Sequence, residues 1–114
     1  SFPGRRIVVA FQPHLFSRTR DFAPDFGLAL AKADQLFLAD IYPAREQPIP
    51  GVTSQMIAES ATIAGRRPAW VGTRPALAPA LASFVKEGDV VLTVGAGDIT
   101  KTGPELLALL GQAA

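Results

Sequence analysis

The chain has 114 residues, 48% hydrophobic and 18% charged, with a formal net charge of +1 and no cysteine. That balance suits one globular domain with a core of its own and excludes a disordered segment. The missing cysteines exclude a disulfide scaffold and a thiolate metal site.

Basic residues are scattered, with short pairs at Arg5–Arg6 and Arg66–Arg67, so no nucleic-acid partner is predicted. No apolar run reaches the roughly 18–20 residues that a membrane helix needs, so no membrane partner is predicted either. The opening Ser1-Phe2-Pro3-Gly4-Arg5-Arg6 lacks the apolar stretch of a signal peptide and reads as a linker remnant entering a strand.

Ile7 to Phe11 is a short apolar run rich in β-branched residues, the pattern of a strand buried on both faces. Phe22, Phe26, Ala29, Leu30 and Ala33 then follow a helical period. Pro24 suits only a first turn, so the helix is expected to start at residues 22–24, leaving His14 to Asp21 as a loop. Gln35 to Asp40 reads as a second strand. A long connection follows from Ile41 to Val52, punctuated by Pro43, Pro48, Pro50 and Gly51.

Thr53 and Ser54 are N-cap residues for a helix carrying Met56, Ile57, Ser60, Ala61 and Ile63 and stopping at Gly65. Ala69-Trp70-Val71 is a third strand. Pro79 suits the first turn of a helix with Ala80, Leu81, Phe84 and Val85, stopped by Gly88. Val90 to Val94 is a fourth strand. Thr102-Gly103-Pro104-Glu105 has capping-box spacing before a last helix over Leu106 to Leu110. Strands alternating with helices predict an α/β fold: a three-layer, Rossmann-like domain with a mainly parallel sheet and helices on both faces.

Ligands of such sheets bind outside the carboxyl ends of the strands. Three segments emerge there: Gln12 to Arg18, Asp40 to Glu46, and Gly95 to Thr100. His14 is the only histidine. Its imidazole can donate a hydrogen bond or carry a proton near neutral pH, and a partly exposed loop histidine fits its position equally well. No second histidine or any cysteine completes a metal set. Arg18 presents a fork matched to a carboxylate or phosphate, whereas Arg20 suits a partner such as Asp21 or Asp25. Asp40 is placed to orient a partner. Arg45 suits a substrate carboxylate or is an ordinary loop charge.

Gly95-Ala96-Gly97-Asp98 lets backbone approach a ligand, although a tight strand-to-helix turn explains the glycines as well. Thr100 stands where the dinucleotide fingerprint has glycine. No phosphate loop and no Gly-x-Ser-x-Gly elbow is present, and no catalytic residue is assigned.

Phe11-Gln12-Pro13-His14-Leu15-Phe16-Ser17-Arg18-Thr19-Arg20-Asp21, Asp40-Ile41-Tyr42-Pro43-Ala44-Arg45-Glu46 with Pro48 to Val52, and Gly95-Ala96-Gly97-Asp98-Ile99 come in this order. Together they resemble the third domain of the Mur ligases, in the branch that joins L-alanine to UDP-N-acetylmuramate. The resemblance implies a cytoplasmic, three-domain enzyme of peptidoglycan synthesis. Its N-terminal domain holds the UDP sugar and its central ATPase domain carries the phosphate loop, so ATP and Mg2+ bind mainly outside this chain. The partners it implies are those two domains of the same polypeptide and L-alanine, whose amine attacks an acyl phosphate. By the same likeness, His14 and Arg18 face the alanine and the nascent amide. Arg45 sits near where sister ligases hold a substrate carboxylate, and Gly95, Ala96, Gly97 and Asp98 line the cleft through backbone. Leu15 stands where many relatives carry arginine.

This fragment alone is then expected to be inactive. The competing readings are the third domain of the ligase that attaches a preformed tripeptide to the same sugar, and a stand-alone, non-catalytic nucleotide-binding-like module. A receiver-type signalling domain is disfavoured, since Gln12, Pro13 and His14 replace its acidic cluster and Gly72 and Thr73 stand where its phosphorylatable aspartate belongs.

Overall fold

The computed structural model describes residues 4–95 and 97–113. Its elements run β1 (Ile7–Phe11), α1 (Phe16–Leu30), β2 (Gln35–Ala39), α2 (Gln55–Ile63), β3 (Trp70–Gly72), α3 (Arg74–Phe84), β4 (Val90–Val94), a 3-10 turn (Asp98–Lys101) and α4 (Thr102–Ala113). The four strands form one parallel sheet in the order β3-β2-β1-β4.

Alternation along the central strands separates two cores, as a period of two requires. Val8, Ala10, Phe37 and Ala39 pack with Leu77, Ala78 and Leu81 of α3 and with Ile99 and Leu106. Phe11, Leu36 and Leu38 turn the other way, onto Ala23 of α1 and Ile57, Ala58 and Ala61 of α2. Helices therefore cover both faces, which gives the three layers. Leu36, Leu38, Leu77 and Leu81 are fully buried, and each contributes roughly 1.5–3 kcal/mol by leaving water.

Strand order fixes where a ligand can sit. The chain winds outward through β1, β2 and β3, then crosses back to lay β4 on the other side of β1. The carboxyl ends of β1 and β4 flank that reversal, the switch point where open α/β sheets form their crevice.

Local signals hold in α2 and fail elsewhere. Thr53 Oγ1 accepts from the Gln55 N–H at 3.2 Å at the start of α2. At its end, Gly65 adopts φ 106°, its N–H donates to Thr62 O at 3.1 Å, and the Arg66 N–H donates to Ala61 O at 2.8 Å. This paired arrangement is the glycine stop that the sequence signals.

By contrast, α1 begins at Phe16, ahead of the expected 22–24, and carries Pro24 in its interior. Its buried stripe is Thr19, Ala23 and Gly27, small residues four apart, while Phe22 is 49% exposed. That stripe lets α1 approach α2 closely, and this packing offsets the backbone hydrogen bond that Pro24 cannot make. Phe26 and Leu30 pack against the same core and Ala33 is buried, as the hydrophobic period predicts, whereas Phe22 is turned to solvent.

Helix α3 likewise starts five residues ahead of the expected Pro79. Pro75 occupies its opening turn, Pro79 lies inside, and Val85 is already extended. Gly88 shapes the later turn that returns the Asp89 N–H to Lys86 O. The expected capping box of α4 does not form. Thr102 continues directly from the 3-10 turn with its buried Oγ1 unpartnered among the described residues, and Glu105 is drawn to Arg74.

Candidate functional site

Beyond β1 the backbone stays tied to its neighbours. The Gln12 N–H donates to Val94 O at 3.1 Å, extending the β1–β4 pairing by one step. On the other side, the Tyr42 N–H donates to Pro13 O at 2.8 Å and the Leu15 N–H donates to Tyr42 O at 2.9 Å. His14 and Tyr42 thereby form an isolated parallel bridge, and their rings stack with centroids 5.8 Å apart and planes 15° apart.

Leu15 then takes a left-handed φ of 72°. A bulky residue there is strained and persists only where its surroundings fix it. The turn redirects the chain into α1, whose first turn carries Arg18.

Glu46 fastens the second loop to the same place. It accepts from the Ser17 N–H at 3.0 Å and from the Ser17 hydroxyl. Those bonds, the hydroxyl's first, hold its carboxyl below the ordinary value. An acid at a helix N-terminus also faces the favourable end of the dipole.

Phe11, Gln12, His14, Arg18, Phe26 and Gly95 line one cleft of about 180 Å³. Beside it, Gln12, Asp40, Tyr42, Arg74 and Asp98 border a second hollow of about 220 Å³. Gln12, only 2% exposed, lies on both, and its buried Oε1 has no partner among the described residues. A larger groove of about 600 Å³ runs along α2 and β3 but contains none of the candidate residues.

The glycines of the third loop have steric reasons. Gly95 takes φ 140°, and a Cβ there would lie 2.6 Å from Gln12 O. Gly97 takes φ 89°, and a Cβ would lie 2.7 Å from Tyr42 Cγ. Both glycines allow the turn to close on the other loops.

The structure thus brings His14, Arg18 and Gly95 to one cleft and places Asp98 on its neighbour's rim, with Gly97 packed against the Tyr42 ring. Ala96, also expected here, lies outside the described residues. Arg45 is exposed and lines neither cavity. Arg20 pairs with Asp21 at 2.9 Å, as its spacing suggests.

Sequence reasoning missed Gln12, Tyr42 and Arg74 as site residues. Arg74 followed a short strand at Thr73-Arg74-Pro75, a polar strand-to-helix junction on the same rim, and that signal was available. Tyr42, the only tyrosine, lay within a segment already singled out.

Among the described residues no group of three or more His, Cys, Asp or Glu could hold a metal ion. The sequence carries no phosphate loop. Among the described residues no helix is long and apolar enough to cross a membrane.

The family model described as Mur ligase, glutamate ligase domain, matches residues 1–97. The UDP-N-acetylmuramate–L-alanine ligase of Cutibacterium acnes is 52% identical over 105 residues, covering 92% of this chain and 22% of that protein. The ligases of the same name from Anaeromyxobacter sp. and Streptomyces coelicolor are 54% identical over 106 residues and 53% over 107. These alignments cover 93% and 94% of this chain and 23% of each relative. The chain therefore spans less than a quarter of the length of these relatives. On a family match over residues 1–97 and identities above half, the chain belongs to the Mur ligase family.

Proposed function

We propose that this chain is the acceptor-amino-acid-binding domain of an ATP-dependent ligase that joins L-alanine to UDP-N-acetylmuramate in cytoplasmic peptidoglycan synthesis. The observation that carries the proposal is the convergence of His14, Arg18 and Gly95 on one cleft at the switch point of the sheet. The names of the relatives, UDP-N-acetylmuramate–L-alanine ligases, support the reaction. The size of the cleft, about 180 Å³, supports one small amino acid over a tripeptide, since larger ligands occupy roughly 300 Å³ or more.

In this reading Arg18 takes the alanine carboxylate through its planar fork. Among the described residues Arg18 makes no ion pair, so its charge is available. The His14 imidazole, held by the Tyr42 ring, hydrogen-bonds the acceptor. Gly95 and Gly97 let backbone come close. The chain contributes orientation and exclusion of water, which are large terms in amide formation.

Mur ligases are ATP-dependent ligases. We assign ATP and Mg2+ to the central ATPase domain and the sugar nucleotide to the N-terminal domain of the same polypeptide. Carboxyl activation is assigned there as well.

The test is steady-state kinetics of the full-length ligase carrying Arg18→Ala. The KM for alanine should rise far more than the KM for ATP, and equal rises would overturn the acceptor role. The chain alone should release no phosphate from ATP when given the muramate substrate and alanine.

A further inference from the structure

We infer that Tyr42 is the positioning residue of the acceptor cleft, fixing the His14 imidazole and the Gly97 turn relative to one another. The inference rests on the acceptor-binding reading above and adds to it a residue that does not line the cleft with His14 and Arg18.

Three independent contacts meet at Tyr42. Its backbone both donates to Pro13 O and accepts from the Leu15 N–H, so it is tied to the chain on either side of His14. Its ring lies nearly parallel to the imidazole, the planes 15° apart. Its Cγ, Cδ1 and Cδ2 face Gly97 so closely that a Cβ there would come within 2.7–2.9 Å of all three. A ring clamped between a histidine and a backbone turn transmits any displacement of one to the other.

The backbone ties place Tyr42 whatever its side chain. The ring therefore has a separable role, which is to hold the imidazole plane. Histidine rings rotate freely about χ2 unless packed, and a hydrogen bond to a small zwitterion depends on that plane. The close approach also gives Gly97 a purpose beyond its own φ of 89°, because only a residue without a Cβ leaves room for the ring.

Because His14 is the only histidine, the chain gives one set of imidazole carbon–proton correlations in an NMR spectrum. Tyr42→Leu should move those signals away from their wild-type positions through loss of the ring current, and Tyr42→Phe should leave them in place. Gly97→Ala, which displaces the ring from the other side of the contact, should move them as well, and it serves if Tyr42→Leu does not fold.

In the full-length ligase, Tyr42→Leu should raise the KM for alanine about tenfold, the scale expected of a small misplacement. The KM for ATP should stay unchanged and Tyr42→Phe should restore the wild-type value. Imidazole signals unmoved in both Tyr42→Leu and Gly97→Ala overturn the inference, as does an equal rise in both KM values. Failure of the underlying reading looks different: the alanine KM would then be indifferent to Arg18→Ala, whatever Tyr42 does.

Discussion

Arg74, in the opening turn of α3, donates from Nη1 to Glu105 Oε1 in α4 at 2.7 Å, and its Nε lies 3.3 Å from Asp98 Oδ2. Its backbone N–H donates to Asp40 Oδ1 at 3.0 Å. One residue thereby joins the segments that leave β2, β3 and β4. With only 8% of its surface exposed, Arg74 has given up most of its hydration for these partners. Arg74→Met removes both side-chain pairs and should destabilise the chain by about 1–2 kcal/mol, since Asp98 and Glu105 are partly exposed and can take water in its place. Glu105→Gln should cost less than about 1 kcal/mol, because its side chain is 42% exposed and water screens the pair. Urea unfolding of both variants and their double mutant measures the coupling.

Gly27 marks the crossing of α1 and α2. A Cβ there would lie 2.3 Å from Ser60 Cβ and 2.6 Å from Ala61 N, so backbone as well as side chain would have to move. Alanine has the better helix propensity, worth about 1 kcal/mol, yet Gly27→Ala should destabilise by about 1–3 kcal/mol through overpacking. A midpoint shift in urea toward lower concentration bears this out, and a gain in stability refutes the close crossing.

Acid should unfold the chain partly through Asp89. The Arg6 guanidinium, bound to both carboxylate oxygens at 2.6 and 3.2 Å, holds the Asp89 carboxyl below its ordinary value of 3.8, with the Lys86 N–H assisting. A pKa lower in the folded state means that the unfolded chain takes up the proton first. The contribution is complete above the ordinary carboxyl pKa and fades as pH falls through the lower folded value. Asp89→Asn should therefore reduce stability at neutral pH and flatten its decline below about pH 4. Melting temperatures across that pH range provide the check.

Arg18 and Arg45 are both exposed, and only Arg18 borders the cleft. Arg18→Ala and Arg45→Ala should both leave the melting temperature within the scatter of surface substitutions, about ±0.5 kcal/mol. Their effects on alanine should differ. Loss of an arginine–carboxylate pair is worth on the order of tenfold or more in KM, whereas Arg45→Ala should change it little. A larger effect at Arg45 would reassign the carboxylate partner to the loop after β2.

The sequence by itself determined the alternation of strands and helices, the parallel sheet, the glycine stop of α2 and the three loops at the carboxyl rim. Each of these follows from a local cause: a run of β-branched residues, a cap, a glycine where φ turns positive. Tertiary structure alone decided where α1 and α3 begin. A buried stripe of Thr19, Ala23 and Gly27 carries no hydrophobic signal, and its meaning comes from the close approach of α2. It decided too that Glu105 serves Arg74 and not its own helix end, and that Tyr42 meets His14 and Gly97. Those partners are brought together by strand order, and strand order depends on long-range packing that no short window of residues contains.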